Sequence, residues 1–338
     1  MNKIKLSICI PTYQRANWLK ECLESLAPQI TSDEADVVVI DNCSRDNTGQ
    51  VVNEFVRKNQ RIRYYRNERN LGYAGGQAKC FEYSRGDYTA ILCDDDVYLE
   101  GEVAAILKVL NRPQEYAFIA LNYYNFVENY QKPHQADFAP ENDLVFERAY
   151  DLLNYPSVGH FSGLIFNTSL ARQKLPALIT EANLPAAEKH RGIISELAAR
   201  VTAGSALPAY FIGTRKLAAR IPFCLDYDTL KHLCIDEYEF YLALFKEGII
   251  TAADLDYRIN LVMKLLPKAI IKDWSRLDTA GRKEVTEKLI SYFNHNESFI
   301  RHCLPLLNWG KNPVIRSLYR FLGGVAAAKR KLVCNIRK

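Results

Sequence analysis

Through the first third of the chain, short apolar runs alternate with segments whose apolar residues fall at helical spacing. Lys5 to Ile10 is an apolar segment, a Pro-Thr-Tyr-Gln-Arg loop follows, and Trp18, Leu19, Cys22, Leu23 and Leu26 then recur every three or four residues. This predicts a strand, a loop and a helix. The pattern repeats, with Val37 to Ile40 as a buried strand, Asp41 to Asp46 as a polar capping turn, and Val51, Val52, Phe55 and Val56 as a helix face. Next come a strand over Ile62–Tyr65, a turn-rich loop with three glycines over Asn67–Gly76, a short helix to Tyr83 and a strand over Tyr88–Cys93. A helix from about Glu102 to Leu110 and a strand over Phe118–Leu121 complete the series.

Such alternation predicts an α/β fold with a doubly wound, mostly parallel sheet, in which ligands sit beyond the carboxyl ends of the strands. The acidic and Pro/Gly-containing loops all fall at those ends. Residues 123–160, with Pro133, His134 and Pro140, read as irregular and suit an active-site flap or an acceptor loop. From about residue 225 the pattern is helical, as in Tyr238–Phe245, Ile259–Leu266 and Arg282–Phe293. The expected division is a nucleotide-binding domain over residues 1–222 and a helical region over residues 223–338.

Composition excludes a disordered or collagen-like chain, since 48% of the 338 residues are hydrophobic and 25% charged. Nine cysteines, an odd number without a Cys-x-x-Cys pair, read as reduced thiols of a cytoplasmic protein. Pro11 interrupts the first apolar stretch, so a signal peptide is not expected, and no apolar run has the length of a membrane span. Net charge is only +5, but residues 316–338 interleave Arg and Lys with Leu318, Tyr319, Phe321, Leu322 and Val325. This basic amphipathic tail either lies on anionic lipid at the inner face of the cytoplasmic membrane or forms the solvated face of a packed helix. Nothing in the pattern calls for a nucleic-acid partner, and oligomeric state is not legible.

The sharpest chemical signal is Asp94-Asp95-Asp96, placed directly after the apolar strand ending at Cys93. Three carboxylates at a buried strand end repel one another unless a cation compensates. Their hard oxygens suit Mg²⁺ or Mn²⁺, which would bridge the protein to a diphosphate. Asp41, at the end of the second strand, can accept hydrogen bonds from a nucleobase or a ribose, or can serve a turn and helix cap with Ser44 and Asp46.

Four segments in this order resemble the motif series of the family 2 glycosyltransferases: Ser7-Ile-Cys-Ile-Pro-Thr-Tyr-Gln-Arg15, Val39-Ile-Asp-Asn-Cys-Ser-Arg-Asp-Asn-Thr48, Arg69-Asn-Leu-Gly72 and Gly86-Asp-Tyr-Thr-Ala-Ile-Leu-Cys-Asp-Asp-Asp96. The resemblance implies a GT-A fold and inverting transfer from a nucleoside-diphosphate sugar to a saccharide or lipid-linked saccharide, in bacterial surface polysaccharide synthesis. Position by position, Pro11, Thr12, Tyr13 and Arg15 would line the nucleotide pocket and Asp41 would contact the base. Asn70 and Gly72 would lie by the ribose and diphosphate, with Asp94 beside them. Asp95 and Asp96 would carry the metal in the place of the family's DxD motif. One departure stands out: the first Asp of the Leu-Asp-x-Asp-Asp form falls on Cys93.

His160-Phe-Ser-Gly-Leu-Ile-Phe166 is similar to a segment of the abequosyltransferase-like members that build O-antigen, and would place Ser162 and Gly163 near donor sugar or acceptor; an ordinary strand with a bulge is the plainer account. Inverting transfer needs a base at the acceptor hydroxyl. The family supplies it from an acidic pair on a helix after that glycine, and the matching stretch here offers Glu188, His190 and Glu196 without an intact pair. A later run beginning Asp236-Glu237 matches the pair better but reads as a surface face of the helical region. Competing functions are a nucleotide-sugar-binding module without catalysis and a sugar nucleotidyltransferase. The latter lacks its Gly-rich basic loop, and an oxidoreductase lacks Gly-x-Gly-x-x-Gly, because Pro11-Thr12-Tyr13 occupies the first turn.

Overall fold

Consecutive apolar residues dictate the centre of the fold. Ile8, Ile10, Val37 and Val39 pack into one buried cluster, whereas Cys9, Val38 and Ile40 pack into another. Successive strand side chains point to opposite faces, so an unbroken apolar run requires cover on both. In the computed structural model, which describes residues 3–134, 141–155, 158, 160–178, 194–220, 230–274 and 277–309, helices supply that cover. The chain divides into two compact units, Met1–Ile221 and Pro222–Lys338.

The first unit runs β1 (Leu6–Thr12), α1 (Ala16–Leu26), β2 (Ala35–Asp41), α2 (Thr48–Lys58), β3 (Ile62–Arg66), α3 (Gly72–Tyr83), β4 (Tyr88–Ile91), β5 (Val97–Tyr98) and α4 (Glu102–Leu110). It continues with β6 (Phe118–Phe126), β7 (Leu144–Phe146), β8 (Leu164–Asn167), α5 (Thr168–Lys174), α6 (Ile194–Ala203) and β9 (Ala209–Arg220). Strand order is β3-β2-β1-β4-β8-β6-β9-β5, with β7 pairing β9. Helices α1, α2 and α4 bury Leu19, Val52 and Ile106 against one face; α3, α5 and α6 bury Phe81, Ala171 and Leu197 against the other.

The first four strands in that order are parallel, as in Ile8 opposite Val37 and Ile8 opposite Ala90. Beyond β4 the sheet is mixed: β8 is antiparallel to β4 and β6, while β6 and β9 are parallel. The expected α/β class and largely parallel sheet are present, and the antiparallel strands close its far side.

Two local expectations need correction. The glycine-rich segment is helix from Gly72 onward, with Gly72 itself at φ +72°. Gly75 serves close packing, since a Cβ there would stand 2.5 Å from Leu71 Cβ. Residues 123–160 are also less irregular than expected, because β6 continues to Phe126 past a register shift between Leu121 and Tyr123.

The second unit contains α7 (Asp236–Lys246), α8 (Ala252–Asp273), α9 (Thr279–Phe293) and α10 (Leu304–Trp309) around Tyr238, Leu266, Ile270, Phe293 and Phe299. Thr251 and Asp254 form a capping box that starts α8. The Asp236-Glu237 run opens α7, and Tyr238, Tyr241 and Leu244 are its buried residues. Among the described residues no helix is long and apolar enough to cross a membrane. The basic stretch 316–338 lies outside the described residues.

Candidate active site

Parallel packing brings the ends of β1, β2 and β4 to one edge. Strand order reverses there, since β2 and β3 lie on one side of β1 and β4 on the other. Thr12 closes β1, Asp41 closes β2, and the three consecutive carboxylates follow β4.

Each of the three has its own surroundings. Asp94 is buried and accepts hydrogen bonds from Thr12 Oγ1 at 2.7 Å and Arg15 Nη1 at 2.8 Å. Burial pushes its pKa up to about 6, with Arg15 and Thr12 pulling against that shift and Asp95 adding to it. Asp95 is half-buried and lies 3.3 Å from Arg15 Nη2. Its pKa is raised by burial and by Asp96, against the pull of Arg15.

Asp96 is buried, with Oδ2 facing both His160 Nε2 and the Ser162 hydroxyl, and Oδ1 accepting the Arg220 backbone N–H at 2.7 Å. That fills the lone pairs of Oδ2 and leaves Oδ1 one acceptor position. Burial alone would lower the His160 pKa, but Asp96 and Asp95 outweigh it and raise it, so His160 donates to Asp96.

Ser162 does more than touch Asp96, because its oxygen accepts the Cys93 N–H at 2.8 Å. The Arg220 guanidinium lies 4.4 Å over the Phe126 ring, donates to the carbonyls of Asp95 and Val127 at 3.0 and 3.1 Å, and pairs with Glu21. The aspartate triplet is therefore held through its backbone as well as its side chains. A carboxylate oxygen from Asp95, one from Asp96 and Cys93 Sγ lie within 4.8 Å of one another, a donor set that fits a divalent cation.

The loops around this cluster are tied together by side chains. Asn42 uses its whole amide: Nδ2 donates to Asn70 Oδ1 and the Gly72 carbonyl, and Oδ1 accepts from Asn67 Nδ2 and the Leu71 N–H. Asn70 Oδ1 also accepts the Gly72 N–H at 2.8 Å, so the Arg69–Gly72 turn is built on side-chain amides. Asp41 is buried, accepts the Ser44 N–H at 2.8 Å and the Tyr64 hydroxyl at 2.7 Å, and has Arg66 Nε at 3.5 Å. Asp41 thus makes the turn foreseen at Ser44; Oδ2 faces Tyr64 and Arg66, and Oδ1 keeps one acceptor position beside the Ser44 N–H.

Of the expected nucleotide-pocket residues, Pro11 is half-buried, Tyr13 is 39% exposed, and Arg15 stacks 4.4 Å over Trp18, itself 41% exposed. Tyr73, 44% exposed, tilts against Phe161 at 6.4 Å between ring centroids. Glu188 and His190 lie outside the described residues. Glu196 sits on α6, where its carboxylate pairs with Arg200 at 2.9 Å.

Sequence reasoning missed Arg220, Tyr64 and Arg66. Arg220 carried the one available signal, a cation ending the apolar strand β9 at a site that needs positive charge. It flagged the His160–Phe166 segment, whose His160 and Ser162 the structure brings onto Asp96.

Comparison with known proteins fits this geometry. Residues 7–169 match the model described as glycosyl transferase family 2. Curated proteins named as glycosyltransferases match at 26 to 31% identity. One is the GalNAc(5)-diNAcBac-PP-undecaprenol beta-1,3-glucosyltransferase of Campylobacter jejuni, 28% identical over 115 residues, covering 34% of this chain and 37% of the relative. The chain spans less than half the length of the curated relatives it matches. Among solved structures, TarS 1-349 of S. aureus in complex with UDP superposes with TM-score 0.65 at 15% identity, covering 96% of this chain and 92% of that one. The mannosyltransferase PcManGT of Pyrobaculum calidifontis, in complex with GDP-Man and Mn²⁺, superposes with TM-score 0.52 at 14% identity, covering 100% and 88%. These superpositions show the fold, and over residues 7–169 the motif-bearing sequence is similar to the glycosyl transferase family 2 model.

Proposed function

We propose that the first unit transfers a sugar, with inversion at the anomeric carbon, from a nucleoside-diphosphate sugar to a hydroxyl of a saccharide or lipid-linked saccharide. The observation that carries this reading is the aspartate triplet at the switch point of the sheet, where Asp95 and Asp96 offer oxygens to one position and Arg15 reaches Asp94 and Asp95. The binding of UDP by TarS and of GDP-Man with Mn²⁺ by PcManGT supports a metal-assisted nucleotide donor. The name of the Campylobacter relative supports an acceptor carried on a lipid diphosphate, as in surface polysaccharide synthesis.

In this reading Thr12 and Arg15 orient Asp94, and Pro11, Tyr13, Asp41, Asn70 and Gly72 border the nucleotide. Asp96, fixed by His160, Ser162 and Arg220, presents its open Oδ1 position beside Asp95. When bound, Mg²⁺ or Mn²⁺ would neutralise charge on the departing diphosphate. The stretch from Glu188 to Glu196 supplies the base that takes the acceptor's proton, with Glu188, His190 and Glu196 as its candidates. We place the protein in the cytoplasm, at the inner face of the membrane where a lipid-linked acceptor is reached.

Incubation with a panel of UDP-, GDP-, TDP- and CDP-sugars in Mn²⁺ or Mg²⁺ tests this. Slow release of nucleoside diphosphate from one donor, abolished by chelator, is expected. Binding of a donor without turnover, even with acceptor saccharides present, would favour a module that only binds, and failure to bind any donor would overturn the reading.

A further inference from the structure

Cys93 is where this site departs chemically from an all-oxygen cluster. Its Sγ lies within 4.8 Å of ligand oxygens from Asp95 and Asp96, close to the spacing that one shared cation at about 2.0–2.3 Å from each ligand imposes. The position of the residue is fixed. Its N–H donates to Ser162 Oγ, the same hydroxyl donates to Asp96, and its carbonyl accepts the Cys22 thiol at 3.8 Å. A single serine thereby sets the placement of Cys93 relative to Asp96. By contrast the thiols of Cys9, Cys22 and Cys80 are buried and turned to backbone carbonyls.

Ligand softness decides which cation such a set prefers. Mg²⁺ holds to oxygen ligands, whereas sulfur favours later first-row ions. We propose that Cys93 ligates the divalent cation together with Asp95 and Asp96, so that the site prefers Co²⁺ or Zn²⁺ over Mg²⁺. This rests on the metal-assisted reading given above. Binding exchanges the S–H bond for a metal–sulfur bond; the proton passes to water, and no oxidation state changes.

The full chain is titrated with Co²⁺ and with Mg²⁺, following heat and near-ultraviolet absorption, in the native protein and in the Cys93→Ser and Cys93→Asp variants. The native protein is expected to show a thiolate-to-cobalt charge-transfer band that both variants lose. Cys93→Asp retains Co²⁺ binding but shifts the Co²⁺/Mg²⁺ affinity ratio toward Mg²⁺ by about tenfold or more, the scale on which even supporting contacts alter metal affinity. It also covers the case in which Cys93→Ser does not fold. Co²⁺ bound with heat but no band, or a band that survives in the variants, overturns sulfur ligation while leaving a metal site in place. Absence of binding for both cations overturns sulfur ligation and metal assistance together.

Discussion

Thr12, the last residue of β1, donates its hydroxyl to Asp94 Oδ2 at 2.7 Å across the point where the strand order reverses. The bond fastens the first carboxylate of the triplet to the neighbouring strand. Thr12→Val keeps the shape and removes the donor, leaving a buried carboxylate with one partner fewer. A loss of about 1–3 kcal/mol in unfolding free energy is expected in urea titrations. An unchanged midpoint would mean that the hydroxyl does not hold Asp94.

Asp95 is the least buried of the triplet. Asp95→Ala relieves repulsion from Asp96 and removes a metal oxygen at once. Calorimetry is expected to show loss of metal-dependent nucleotide binding with a melting temperature equal to or above that of the native protein. Equal binding with and without chelator would refute the metal assignment.

Ser162 serves two partners, accepting from Cys93 and donating to Asp96. Ser162→Ala orphans both, with an expected cost of about 2–4 kcal/mol. Affinity for Mn²⁺ should fall roughly 10–100-fold, as it does when ligands lose their supports. Stability that falls with metal affinity untouched would make the serine a packing residue only.

Glu102, the first residue of α4, is fully buried, and neither carboxylate oxygen has a hydrogen-bond partner among the described residues. Burial pushes its pKa up to about 8, opposed by Lys216. The folded protein keeps a proton that the unfolded chain sheds above about pH 4.5. Its contribution is therefore full below pH 4.5 and declines as pH rises toward 8, by about 3 kcal/mol at pH 7. Melting curves between pH 5 and pH 8 should show Glu102→Gln gaining on the native protein as pH rises. Parallel curves would show that Glu102 ionises freely.

What the sequence disclosed, and what it withheld, follows from the range of the forces involved. Val37 to Ile40 and Ile8 to Ile10 announce buried parallel strands because periodicity is local. Asp94 to Asp96 announce a cation because adjacent like charges are visible without a fold. Arg220, by contrast, reaches Asp95 and Asp96 only through strand pairing, and Tyr64 reaches Asp41 only across neighbouring strands. The helix starting at Gly72 is hidden in the sequence because glycine weakens helices on its own, and the packing of Cys80 and Phe81 that favours it appears only in the fold.

The hydrogen bond from the Arg220 amide to Asp96 joins residues 124 positions apart. During synthesis Asp96 leaves the ribosome long before this partner, so the nascent chain carries Asp96 without its backbone donor until β9 arrives. Polypeptides cut short within residues 97–219 would keep Thr12 and Arg15 on Asp94 but lack the backbone donor that completes the hold on Asp96.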